Sequence, residues 1–185
     1  MTSLGHTHTH DLQPSLWVCR FAHLIREHGN VIDVACGTGR HAKWLAKLGY
    51  RVEAVDRDST ALAELEHIPG IRTRIADLET PAWPYRDVQF DGVIVTNYLW
   101  RPHFDALLSM LSPDGVLIYE TFMVGNEKVG RPSNPDFLLQ PAELLDRVRG
   151  LLTVIAFEQG RIDLPKPAFV QRICARAGAV TLLPR

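Results

Sequence analysis

The period of the apolar positions changes several times along the chain, and each change marks an element. Trp17, Phe21, Leu24 and Ile25 recur at helical spacing, which predicts a helix over residues 15–28 that Gly29-Asn30 stops. The run Val31-Ile32-Asp33-Val34 then reads as a buried strand, and Ala35-Cys36-Gly37-Thr38-Gly39 as a tight turn. Trp44, Leu45 and Leu48 give the next segment an apolar helical stripe, ended by Gly49. Arg51-Val52-Glu53-Ala54-Val55-Asp56 is a second strand. Asp58-Ser59 caps a helix with Ala61, Leu62 and Leu65 turned inward, and Pro69-Gly70 breaks it.

Residues 71–75 form a short third strand, and the apolar run 90–95 a fourth that is covered on both faces. A helix over about 103–110 follows. Next come a turn at Ser112-Pro113-Asp114-Gly115 and a fifth strand at Val116-Leu117-Ile118-Tyr119. Pro141 suits the first position of a last helix carrying Leu144, Leu145 and Val148. Two late strands, 152–157 and 169–174, are joined by Leu164-Pro165-Lys166-Pro167, which is too short for a crossover helix, so they must pair antiparallel. Strands alternating with helices and ending in one hairpin predict an open, mostly parallel α/β sheet. Residues 122–139 show neither period, and a loop of that length suits a lid over a site.

Composition narrows the field. At 185 residues and 46% apolar the chain supports one core, so residues 15–185 are expected to form a single domain after a flexible segment 1–14. A net charge of −1 gives no reason to expect nucleic acid or an anionic membrane as a partner. Cys19, Cys36 and Cys174 are odd in number and fit no zinc spacing, which suits reduced thiols in a cytoplasmic protein. No apolar run approaches a membrane span. His6, His8 and His10 alternate and can bind a metal, but they read better as a frayed polar terminus, and no metal site is expected.

The chemistry concentrates at the first turn. A strand entering a loop of small residues and leaving as a helix lets a nucleotide-like ligand lie against bare backbone. Gly37 and Gly39 remove the Cβ atoms that would block that approach, and Asp56, at the end of the next strand, can accept both hydroxyls of a ribose. The spacing Gly37-Thr38-Gly39-Arg40-His41-Ala42 also satisfies a dinucleotide fingerprint, so the loop by itself leaves the ligand open.

The stretch resembles motif I of class I S-adenosylmethionine-dependent methyltransferases, with Ala35 where the family usually has glycine. The resemblance extends along nearly the whole chain. It implies a Rossmann-like fold: a mostly parallel seven-stranded sheet with a C-terminal antiparallel hairpin and helices on both faces. That hairpin argues for S-adenosylmethionine and against a nicotinamide cofactor. Within the superfamily, Cys36-Gly37-Thr38-Gly39-Arg40-His41-Ala42 is similar to the small bacterial group containing the tellurite-resistance methyltransferase.

By this resemblance, Asp33 and the Ala35, Cys36, Gly37, Thr38 and Gly39 backbone face the amino-acid end of S-adenosylmethionine, although Asp33 can equally brace the loop. Asp56, with Arg57 beside it, holds the ribose. Asp77 and Leu78 read the adenine, and Thr96, Asn97 and Tyr98 line the methyl-donor side. The implied reaction is methyl transfer to a small-molecule acceptor, with Tyr98, Trp100, Arg101, Tyr119 and Thr121 shaping the acceptor site and Arg131 and Asn134 closing over it. His103 and Glu120 are the candidate bases beside a positioning Tyr98; His103 otherwise caps a helix, and Glu120 otherwise pairs with a lid arginine. Trp17 reads as core rather than cofactor cover. A non-catalytic S-adenosylmethionine-binding sensor or partner subunit uses the same loop, and a nicotinamide-dependent oxidoreductase is the remaining alternative. A monomer or a homodimer is expected.

Overall fold

The computed structural model describes residues 13–178, so the histidine-rich segment and most of the expected flexible terminus lie outside the described residues. Seven strands form one sheet: β1 (Asn30–Val34), β2 (Arg51–Asp56), β3 (Ile71–Ile75), β4 (Phe90–Thr96), β5 (Leu111–Phe122), β6 (Thr153–Ile162) and β7 (Ala168–Arg176). Their order is β3-β2-β1-β4-β5-β7-β6. The first five run parallel, and β7 enters antiparallel between β5 and β6. This is the expected mostly parallel sheet with its terminal hairpin. The order reverses direction between β1 and β4, and a ligand crevice lies beyond the strand ends at such a switch point.

Helices α1 (Leu16–Phe21), α2 (Arg40–Lys47) and α3 (Ser59–Ala63) cover one face. Helices α4 (Phe104–Ser109) and α5 (Glu143–Val148) cover the other. The core is therefore two apolar layers. Trp17, Ile25, Leu45 and Leu65 belong to the first; Val93, Leu117, Tyr119 and Leu144 belong to the second. Val31, Ile32, Val93 and Ile94 are fully buried, which accounts for unbroken apolar runs in the central strands.

Several boundaries differ from the sequence expectation. The first helix ends at Phe21 and gives way to a 3-10 turn over Ala22–Leu24, because Ile25 becomes extended and the Tyr50 hydroxyl takes the Ala22 carbonyl at 2.9 Å. α2 buries His41, Ala42 and Leu45, leaving Leu48 half exposed. The last helix starts at Glu143 rather than Pro141, because Ala142 takes a left-handed conformation with φ of 60° and gives its N–H to Gln159. The turn at Ser112-Pro113-Asp114-Gly115 lies as a register irregularity within β5. The segment 122–140 holds two 3-10 turns, Asn126–Lys128 and Pro135–Phe137, and an isolated bridge between Met123 and Leu139.

Candidate functional site

The C-terminal ends of β1 to β4 enclose a cleft of about 230 Å³. Ala35 follows β1, Asp56 ends β2 with Arg57 just after it, the run 76–79 follows β3, and Tyr98 follows β4. All strands that line it are parallel, so their C-terminal ends converge on one rim, and each contributes one loop.

The β1–α2 loop is held from both sides. The Asp56 carboxylate takes the Gly37 N–H at 2.8 Å through Oδ2 and the Asp58 N–H at 2.9 Å through Oδ1. Each oxygen keeps a further lone pair for a ligand hydroxyl. Ala35, Gly37 and Gly39 all have positive φ, at 53°, 54° and 71°. A Cβ on Gly37 would meet nothing within 4 Å, so the loop turns a bare edge of backbone to open space. A Cβ on Gly39 would lie 2.5 Å from the Leu65 side chain, so glycine there lets the start of α2 approach the turn after α3. Bare backbone beside a carboxylate with lone pairs to spare is a surface on which a ligand bearing hydroxyl groups can lie.

Across the cleft, Asp77 Oδ1 takes the Glu79 N–H at 2.9 Å, which turns the loop after β3 and buries Leu78. Arg57 reaches Glu79 at 3.9 Å. Tyr98 forms the opposite wall; its hydroxyl is buried with no partner, and burial pushes its pKa up. Ala35, Asp56, Arg57, Asp77 and Leu78 thus meet around one cleft, joined by Ala76 and Glu79, which went unnamed although they flank the Asp77-Leu78 pair.

Other expected cofactor residues sit behind or beside this rim. Asp33 is 1% exposed and accepts the Ala42 N–H at 3.0 Å, so it braces the first turn of α2. Burial raises its pKa to about 7. Cys36 is buried and its thiol faces the Gly37 carbonyl. Thr38 is exposed. Asn97 is exposed in the left-handed region with φ of 56°.

The candidates on the acceptor side are largely spent on structure. His103 Nε2 lies 2.6 Å from the Thr80 carbonyl and its ring packs on Trp83, so it ties two loops together outside the cleft rather than standing free as a base. Glu120 pairs with Arg172 of β7 at 2.7 Å and accepts the Ser15 hydroxyl at 2.8 Å, a β7 arginine having taken the place foreseen for a lid residue. Tyr119 and Thr121 alternate with Glu120 along β5 and point together into the opposite layer, 1% and 2% exposed. The Tyr119 ring stacks on Phe104, and its hydroxyl fixes the Tyr98 carbonyl at 2.8 Å.

Arg101 binds both Glu143 oxygens, at 2.7 and 2.9 Å, and the Asp136 and Leu138 carbonyls, so it clamps the 135–138 turn to α5. Trp100 is half-buried with its indole N–H unpartnered. Arg131 is exposed, while Asn134 caps the 3-10 turn after it by accepting the Asp136 N–H. Trp17 is core, with its indole N–H on the Ile173 carbonyl. Among the described residues no group of three or more His, Cys, Asp or Glu side chains is placed to hold a metal, and no helix is long and apolar enough to cross a membrane.

Comparison with known proteins agrees with this geometry. Residues 31–115, from β1 to the irregular turn in β5, match the family described as methyltransferase domain. The chain is 33% identical over 107 residues to a protein-L-isoaspartate O-methyltransferase of Chlorobaculum tepidum, covering 55% of this chain and 48% of that protein. It therefore spans about half the length of that relative. TehB from Haemophilus influenzae superposes with a TM-score of 0.71 at 18% identity, over 94% of this chain and 64% of TehB. The 1,6-didemethyltoxoflavin-N1-methyltransferase of Burkholderia thailandensis, solved with S-adenosylhomocysteine, superposes with a TM-score of 0.63 at 19% identity, over 88% and 76% of the two chains. Residues 31–115 thus resemble a methyltransferase domain, and the seven-stranded sheet as a whole has the fold of the solved methyltransferases on which it superposes.

Proposed function

We propose that the chain is a methyltransferase that binds S-adenosylmethionine in the cleft at the ends of β1 to β4 and methylates a small-molecule acceptor by in-line displacement. The observation that carries this reading is the Asp56 carboxylate, which braces the Gly37 backbone while keeping lone pairs directed at the same cleft. S-adenosylmethionine supplies a methyl group already activated on a sulfonium. The protein's part is to hold the adenosyl moiety between Asp56, Asp77 and Leu78 on one side and Tyr98 on the other. The matched region 31–115 includes every residue that lines the cleft, which supports this reading.

His103 and Glu120 are both engaged in bonds of the fold, which favours an acceptor that carries its own nucleophilic lone pair at working pH. A thiolate, an oxyanion or an unprotonated amine meets that condition, and the toxoflavin enzyme named above is an N-methyltransferase. Near-zero net charge favours a small acceptor over nucleic acid.

The test is calorimetric titration with S-adenosylmethionine and, separately, NAD, followed by an acceptor screen of thiols, chalcogen oxyanions and amines that reads S-adenosylhomocysteine release. Binding of S-adenosylmethionine with acceptor-dependent release is the expected result. Binding without release for any acceptor class would favour a sensor or partner subunit, and binding of NAD instead would overturn the reading.

A further inference from the structure

Behind the cleft, beneath α1, lies a chain of polar side chains that the proposed function does not use. His41, in the first turn of α2, is 1% exposed, and its Nε2 takes the Ser15 N–H at 3.1 Å. A ring nitrogen that accepts an N–H carries no proton, so the ring is neutral with its hydrogen on Nδ1. Burial, which lowers its pKa to about 3, keeps it so. Nδ1 faces Thr96 Oγ1 at 3.4 Å and Asp33 Oδ1 at 4.0 Å. Asp33 Oδ1 is buried and has no hydrogen-bond partner, His41 Nδ1 standing beyond bonding distance.

Ser15 also reaches the other way. Its hydroxyl donates to Glu120 and accepts the Trp17 N–H, capping α1. The start of α1 is thus pinned to the first turn of α2 through His41 and to the end of β5 through Glu120. His41 in turn meets the end of β4 at Thr96 and lies beside Asp33 of β1. An apolar side chain of the same size would fill this space but leave the Ser15 N–H without its acceptor.

We propose that His41 is a positioning residue that couples the docking of α1 to ligand binding on the Ala35–Gly39 loop. The inference rests on the reading of the cleft as the S-adenosylmethionine site. The loop runs directly into α2 through Gly39, so a ligand seated on its backbone orders the first turn of α2, which holds the imidazole. The ring carries that order to Ser15 through a part-buried hydrogen bond that the buried imidazole accepts. The coupling is reciprocal: a docked α1 favours the bound ligand by the same factor.

The experiment is hydrogen exchange read by mass spectrometry on the full chain, with and without S-adenosylhomocysteine. In the wild type, the ligand is expected to slow exchange at the amides of residues 17–21 by about fivefold or more, although α1 does not line the cleft. His41→Ala should lose that protection while the ligand still protects residues 35–42. His41→Gln, whose side-chain oxygen reaches the place of Nε2, should restore it.

Ser15→Ala keeps the backbone donor and should retain the coupling. Ser15→Pro suits the Ser15 φ of −57° but removes the donor, and should lose the coupling even if His41→Ala fails to fold. Unchanged α1 protection in His41→Ala or Ser15→Pro would overturn the proposal, as would a wild-type α1 indifferent to a bound ligand. No binding by the wild type would overturn both this inference and the reading of the cleft.

Discussion

Asp56 Oδ2 accepts the Gly37 amide hydrogen at 2.8 Å, which fixes the end of β2 to the glycine loop after β1. The carboxylate therefore serves the fold and the ligand site at once. Asp56→Ala strips an acceptor from Gly37, from Asp58 and from the proposed ribose contact. Hydrogen bonds to a charged group contribute about 1.5–3 kcal/mol each, so S-adenosylmethionine affinity should fall by about tenfold to a hundredfold or more. The Gly37 and Asp58 amides lie open enough for water to replace the carboxylate, so the melting temperature should fall by only a few degrees. Titration calorimetry and thermal melts check both, and a variant that binds as tightly as wild type would remove Asp56 from the site.

Ala35 holds a φ of 53° where the related motif usually has glycine. A left-handed alanine costs about 1–2 kcal/mol, and the extra freedom glycine gives the unfolded chain offsets about 0.4–1 kcal/mol of its relief. Ala35→Gly should therefore raise the melting temperature by about 1–3 °C. Gly39→Ala should do the reverse, since its φ is 71° and its new Cβ would meet Leu65. Overpacking of this kind costs about 1–3 kcal/mol. Paired melts of the two variants test the assignment.

Asp33 and His41 should give stability two opposed pH slopes. Burial raises Asp33 to about 7, so its folded form holds a proton that the unfolded chain releases near pH 4; this contribution is full below about pH 4 and is lost as pH rises through about 7. Burial lowers His41 to about 3, so its contribution is full above about pH 6.5 and is lost as pH falls through about 3. Between roughly pH 4 and 6.5 the two oppose each other. His41→Gln should leave a melting temperature that falls with rising pH in that window, and Asp33→Asn one that rises. Melts in buffers across the window decide it; slopes of the same sign in both variants would contradict the burial argument.

Arg101 clamps the turn at 135–138 to α5 by a fork that a lysine ammonium cannot reproduce. Arg101→Lys should expose the segment 122–140 to limited proteolysis. S-adenosylhomocysteine affinity should stay within about twofold, because Arg101 lies outside the cleft lining. A large loss of affinity without new cleavage would place Arg101 in the ligand site instead.

The strands, the glycine loop and the acids Asp56 and Asp77 were legible because each announces itself locally. Apolar runs need a sheet covered on both faces, small residues need a turn, and an acid at a strand end sits at the rim of a parallel sheet. The terminal hairpin was legible from one short linker. His41 went unnamed as a site residue because a polar side chain is not counted in an apolar stripe, although its spacing from Leu45 places both on one buried face.

The sequence by itself determined the order of elements, the likeness to class I methyltransferases and most of the residues at the cleft rim, since these follow from residue type and spacing along the chain. Only the tertiary structure decided which polar groups remain free. Glu120 met Arg172, Arg101 met Glu143, and His103 met the Thr80 carbonyl, partners separated by 52, 42 and 23 positions in the chain. A side chain's availability for chemistry depends on what the fold brings against it, and no local pattern encodes a neighbour so distant in sequence.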